Sequence, residues 1–141
     1  MIASYSVACR REELRTIREQ LGEALTFHGV AGLERDQIIL AVDEACANAI
    51  IHGNDADENR QIRVEAELRD SELTVRVKDV GEFEFSPSMI DKDISWYVKN
   101  RMRGGLGLKL IHAIMDEVRF EKEDDAFVCV MIKKIGEAAK A

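Results

Sequence analysis

The chain has 141 residues, with 20 basic against 27 acidic side chains and a formal net charge of −7. With 46% hydrophobic residues it is too apolar for a disordered segment, and with 33% charged residues too polar for a membrane protein. The length suits one domain, residues 1–141, able to bury a core without disulfide staples. No run of about 18 apolar residues occurs, so no helix is expected to span a bilayer. The opening MIASYSVACRREEL lacks the basic-then-apolar order of a secretory signal, and the chain reads as cytoplasmic. An acidic surface repels phosphate backbones, which disfavours direct nucleic-acid binding and favours protein partners or small anions held in a local pocket. Cys9, Cys46 and Cys129 are dispersed without a CxxC, as expected of small buried hydrophobes in a reducing compartment.

Residues 2 to 9 alternate weakly and predict an edge strand. From about Glu12 to Thr26, Leu14, Ile17, Leu21, Ala24 and Leu25 recur at helical spacing among charges and predict an amphipathic helix. Gly29 and Gly32 bracket a loop, and a second helix is expected from about Glu34 to Ile51, stopped by Gly53 and a polar DADEN turn. Two strands follow in QIRVEAELR and ELTVRVKD, where apolar and polar residues alternate on either side of a short Asp70-Ser71 turn. An irregular stretch, about Glu82 to Arg103, leads to a helix from about Leu106 to Glu117. A last strand pair, VRFEKE and AFVCVMIKK, turns at Asp124-Asp125. This order describes an α+β two-layer sandwich, a mixed, mostly antiparallel sheet with helices packed on one face.

Three places break the pattern. Between Gln37 and Ile51 the second helix carries only Gln37, Asp43, Glu44 and Asn48 as polar residues. At 100° per residue, Gln37, Glu44 and Asn48 fall within about 40° of one another, with His52 just beside them. A carboxylate and an amide on one narrow stripe of so apolar a helix point to an internal cleft; the alternative is a strip facing solvent. Asp79 shares the parity of Leu73, Val75 and Val77, so it is expected on the buried side, and Gly81 would let backbone approach a ligand closely. Taken alone, the pair is better explained as an ordinary strand-ending Asp-x-Gly turn with its side chain in water, because that turn is common. In RGGLGLKLIHAIMDEV, Gly104, Gly105 and Gly107 open a helix behind Arg101 and Arg103. Exposed backbone N–H groups and the positive dipole end at such a start suit a phosphate.

The order and spacing of these pieces are more specific than any one of them. A helix with EACAN, a strand ending in DVG, a long loop, and RGGLGL opening a helix resemble the GHKL ATP-binding superfamily, to which gyrase-type and histidine-kinase ATP domains belong. Within it, NAIIHGN and GGLGLKLIHAIMDEV look closest to the bacterial anti-sigma-factor serine-protein kinases, over about residues 5 to 135. The resemblance implies a GHKL, or Bergerat, sandwich with an ATP lid at about 82–104. It implies Glu44 as general base, Asn48 as Mg²⁺ ligand, and Asp79 as acceptor for the adenine amino group. Gly81 would let adenine approach, and Gly104, Gly105, Leu106 and Gly107 would hold phosphates at the helix start. Arg103 matches a lid arginine near the terminal phosphate.

Two departures accompany it. Phe83 stands where such families often carry a second glycine, and DAFVCVMIKK lacks the hydroxyls of their G-T-T-like segment. The apolar lid residues, Trp96 and Tyr97 among them, suit either packing on the core or a partner surface. The function implied is an anti-sigma factor and ATP- and Mg²⁺-dependent serine-protein kinase. It would bind a sigma factor and phosphorylate a STAS-type anti-sigma-factor antagonist in a partner switch, with a homodimer possible. The alternative is a non-catalytic regulatory binding module on the same fold, with nucleotide structural or absent. Other signals fall away: DADENR has Arg60 and Ala66 where a calcium loop needs Gly and Glu, and no G-x-S-x-G supports a hydrolase.

Overall fold

A computed structural model describes residues 1–53, 59–79, 106–123 and 126–136. Its elements run β1 (Ala3–Ala8), α1 (Glu13–Phe27), α2 (Gly32–Ala47), a π-helical segment (Asn48–Gly53), β2 (Gln61–Arg69), β3 (Glu72–Asp79), α3 (Leu106–Ile114), β4 (Glu117–Glu123) and β5 (Ala126–Lys134). The five strands form one sheet in the order β1-β2-β3-β5-β4, and every pair of neighbours is antiparallel. Period-two alternation produces this directly. Ile62, Val64 and Ala66 of β2 and Leu73, Val75 and Val77 of β3 are buried, while the intervening charged residues are not. The β2–β3 hairpin has left-handed backbone at both turn residues, φ 50° at Asp70 and 67° at Ser71. That geometry belongs to a two-residue turn whose twist matches the strands.

The helices lie over one face. Ile17, Leu21 and Leu25 of α1, Ile38, Ala41, Val42, Ala45 and Cys46 of α2, and Ile111 of α3 join the β2 and β3 residues and Met131 of β5 in a single core. Helix α1 closes with a left-handed Gly29 (φ 86°). Gly29 N–H donates to the Thr26 carbonyl and Val30 N–H to the Leu25 carbonyl, which satisfies the last orphan acceptors. Gly22 lets α2 approach α1: a Cβ there would sit 2.5 Å from Arg35 Nη2. Arg35 Nε donates to the Gly22 carbonyl (3.2 Å) and to Thr26 Oγ1 (2.8 Å), clamping the helix pair.

Two boundaries differ from expectation. The third helix ends at Ile114, three residues before Glu117. Beyond Met115, whose N–H still reaches the Ile111 carbonyl, Asp116 N–H turns to the Ile132 carbonyl and joins the sheet. Lys133 Nζ caps the released Ile114 carbonyl at 3.1 Å. The second helix starts at Gly32 and its last turn is π-helical rather than α-helical.

Candidate nucleotide site

Helix α2 packs between α1 and α3, and one corner of the sandwich fixes the direction of each element. At that corner Gly136 N–H donates to Glu34 of α2 (3.2 Å to Oε1), Lys133 caps the C-terminus of α3, and Lys134 N–H donates to Asp116 Oδ2 (2.6 Å). Glu72, the first residue of β3, pairs in register with Lys134. The start of α2, the end of α3 and the start of β3 therefore meet. The opposite ends lead away from them: Asn48 lies about 21 Å along α2 from Glu34 and the start of α3 about 12 Å from Ile114, at about 1.5 Å per residue. Asp79 lies about 23 Å along β3 from Glu72 at about 3.3 Å per residue. The topology thus gathers the Glu44–Asn48 turn, Asp79 and the Leu106–Gly107 helix start at ends pointing away from one tied corner.

Asn48 is the buried polar residue of the described core, 8% exposed. Its backbone N–H is shared between the Glu44 and Ala45 carbonyls, and its Nδ2 donates to the Glu44 carbonyl at 2.9 Å. This side-chain bond competes with the regular ladder at the residue where α2 gives way to the π segment. Widened π turns of this kind recur at functional sites. With Nδ2 committed, the amide oxygen Oδ1 is the atom left to accept or ligate. A hard amide oxygen of this kind fits magnesium, which is held by few protein oxygens besides phosphate and water. Glu44, one turn earlier, is half-buried. The stripe therefore runs from solvent into the interior along its length.

Asp43, beside Glu44, is tied to α1 by Arg18 (Nη1 to Oδ1, 2.9 Å). The sequence shows Asp43 only as an interruption of an apolar surface, and no short-range signal joins it to a residue 25 positions away. Burial pushes the Cys46 thiol up, with the Asp43 charge adding to it, so Cys46 stays a protonated core side chain rather than a nucleophile. Asp79 pairs in register with Ile62 at the end of β3, and Leu106 and Gly107 form the first turn of α3. Gly81, Arg103, Gly104, Gly105, the lid at 82–104 and the Asp124-Asp125 turn lie outside the described residues. Among the described residues no group of three or more His, Cys, Asp or Glu could hold a metal ion by itself. None of their helices is long and apolar enough to cross a membrane.

A profile of the histidine kinase-like ATPase domain matches residues 7–134. The chain belongs to that family. Within it, the serine-protein kinase RsbW of Bacillus subtilis is 32% identical over 118 residues, covering 75% of this chain and 72% of that protein. The protein of the same name from Listeria innocua is 33% identical over 111 residues, covering 72% and 67%. An anti-sigma F factor of Clostridium perfringens is 29% identical over 101 residues, covering 72% of each. Among solved structures, that of the RsbU and RsbW domains of Rv1364c from Mycobacterium tuberculosis matches with a TM-score of 0.64 at 21% identity. The match covers 94% of this chain and 32% of that one. The SiaB-SiaC complex of Pseudomonas aeruginosa matches at 0.57 and 14% identity over 94% of this chain and 89% of that one. At those identities the likeness establishes the fold, the α+β two-layer sandwich expected from the element order.

Proposed function

We propose that this histidine kinase-like ATPase domain is an anti-sigma factor and serine-protein kinase of the cytoplasm. In this reading it binds a sigma factor and phosphorylates a STAS-type antagonist, and whichever partner prefers the nucleotide-loaded form displaces the other. The observation that carries it is the buried Asn48 one turn from a half-buried Glu44, on a helix that otherwise serves the core. Similarity to proteins named serine-protein kinase RsbW and anti-sigma F factor supports the class of partner.

In the mechanism, Glu44 accepts the proton of the incoming serine hydroxyl, orienting its lone pair towards the terminal phosphate. Asn48 would hold Mg²⁺ through Oδ1, Asp79 would accept from the adenine amino group beside Gly81, and the Gly104–Gly107 turn would hold phosphates with Arg103 at their end. The bound metal and nucleotide supply charge neutralisation and the transferable phosphoryl group. A self-associated form would use the outer edge of β1, which pairs with no described strand besides β2 and whose six residues, ASYSVA, carry no charge to blunt it.

Glu44→Gln should lower phosphate transfer to the antagonist by at least about 10²-fold, the scale of general-base catalysis, while calorimetry shows Mg-ATP still bound. Transfer that survives the substitution would remove Glu44 from this role. An affinity for ATP indifferent to Mg²⁺ would favour the non-catalytic binding module, which Phe83 and the altered last strand also suit.

A further inference from the structure

The helix-facing side of the sheet changes character at the level of Asp79. Lys78 of β3 pairs with Val128 of β5, so Asp79, one residue on, stands at the level of Phe127. Ile62 of β2 pairs with Asp79 and, on its other side, with Val7 of β1; Phe127 pairs with Lys122 of β4. One row therefore crosses all the strands of the sheet: Val7, Ile62, Asp79, Phe127 and Lys122. Alternation puts this row on the same side as Val77 and Cys129, a pair two residues back, and hence towards the helices. Val7 and Ile62 join the core that the helices cover. Phe127 is as buried as Val7, at 7% exposed, yet among the described residues it takes no part in that core.

Phe127 thus stands one strand spacing, about 4.8 Å of backbone, from Asp79 and outside the helical core. Lys122 Nζ lies over its ring, 5.9 Å from the centroid, and comes from β4, on the side away from Asp79. The side of Phe127 towards β3 is where a base held by Asp79 would rest. Phe127 also belongs to DAFVCVMIKK, the segment that lacks the hydroxyls of the G-T-T-like stretch. A phenyl ring offers a base no hydrogen bond. What it offers is a flat apolar surface, and a purine has a matching π face besides its polar edge.

We propose that Phe127 is the platform for the nucleobase, a specificity-determining residue that packs against the purine while Asp79 accepts from its amino group. The proposal rests on the nucleotide reading above and deepens it: an aromatic surface stands where a hydroxyl would otherwise help to read the base. The two residues divide the recognition. Phe127 supplies affinity for any purine, because a ring face is indifferent to the substituents on the edge. Asp79 supplies the preference for adenine, because a carboxylate there needs a donated N–H.

The test is calorimetry on the full chain in the presence of Mg²⁺ with three probes. These are ATP, purine riboside triphosphate, which lacks the 6-amino group, and inorganic tripolyphosphate, which lacks the base. Phe127→Ala should weaken ATP and purine riboside triphosphate alike, by about tenfold, and leave tripolyphosphate unchanged. Phe127→Leu, which keeps the apolar volume and so spares the fold, should show the same pattern at smaller size. Asp79→Ala should bring ATP down towards purine riboside triphosphate without touching tripolyphosphate. An ATP affinity unchanged in both Phe127 variants, or a loss that tripolyphosphate shares in full, would overturn the platform while leaving the nucleotide site standing. If the unaltered chain binds no Mg-ATP, the nucleotide reading fails and the platform fails with it.

Discussion

The two faces of the sheet solve the same burial problem in different ways. Under the helices, Val75, Val77 and Met131 are covered by a second layer of apolar side chains. On the opposite face Val128 and Val130 are each 1% exposed, yet no described helix joins them in the core. Their cover comes from the neighbouring strands. Because β5 lies between β3 and β4, the pairs Arg76–Glu123 (2.9 Å), Arg76–Glu121 (3.6 Å) and Lys78–Glu123 (3.3 Å) must arch across it. Lys78–Glu65 (2.8 Å) extends the lattice to β2. The aliphatic stems of these side chains exclude water from the valines while their charged ends pair with one another. A protein can thus bury a central strand on both sides with only one helical layer, provided its flanking strands carry long charges of opposite sign.

The sharpest way to separate the two faces is to cut one residue from each on β5. Met131→Ala removes a fully buried side chain from a region that helices hold in place, so the cavity cannot collapse. The expected loss is about 2–5 kcal/mol of unfolding free energy, read by denaturant titration. Val130→Ala lies under flexible arms that can settle into the space, and should cost clearly less. Equal losses would mean that the ion-pair face is as rigid as the core.

How much of this was visible beforehand depends on the range of the interaction involved. The bounds of β2 and β3 coincide with those expected because alternation and a two-residue turn are local signals. The end of α3 was misplaced because Met115 and Val118 continue a helical apolar spacing while also suiting a strand. What decides between them is Asp116 meeting Ile132 and Lys134, partners 16 and 18 residues away. The π turn at Asn48 was invisible for the same reason that the stripe was legible: periodicity near 3.6 reports a helical face but not its winding. Glu44 and Asn48 stood out as polar residues in an apolar run, whereas Arg18–Asp43 and the arches over β5 are tertiary pairings no single-chain pattern reveals.

Glu123 is the residue on which two arches converge, so it tests the charged face directly. Glu123→Gln keeps the shape and removes the charge that faces both Arg76 and Lys78. With about a third of Arg76 and Glu123 and 22% of Lys78 exposed, the expected cost is at most about 1 kcal/mol at low salt. It should shrink further in about 1 M salt, where charges are screened over about 3 Å. A salt-independent loss would indicate that Glu123 acts by packing over Val128 rather than by charge.

The smallest effect is alkaline, and its sign follows from the same lattice. The hydrogen bond that Lys78 donates to Glu65 holds its ammonium above the ordinary value near 10.5; burial opposes this, and Glu123 adds to it. Because the folded state binds this proton more tightly than the unfolded state, the contribution is complete below the unfolded value and disappears as pH rises through the folded one. Tyr5 shifts in the same direction: burial first, and then Glu23, disfavour its phenolate. Stability should therefore hold level through neutral pH and decline from about pH 10 upwards. Lys78→Met should lower the plateau and flatten part of that decline, whereas Tyr5→Phe should flatten the remainder without touching the lattice. If Lys78→Met leaves the alkaline slope unchanged, Lys78 is not the group that couples the charged face to pH, and the arches over β5 hold by geometry alone.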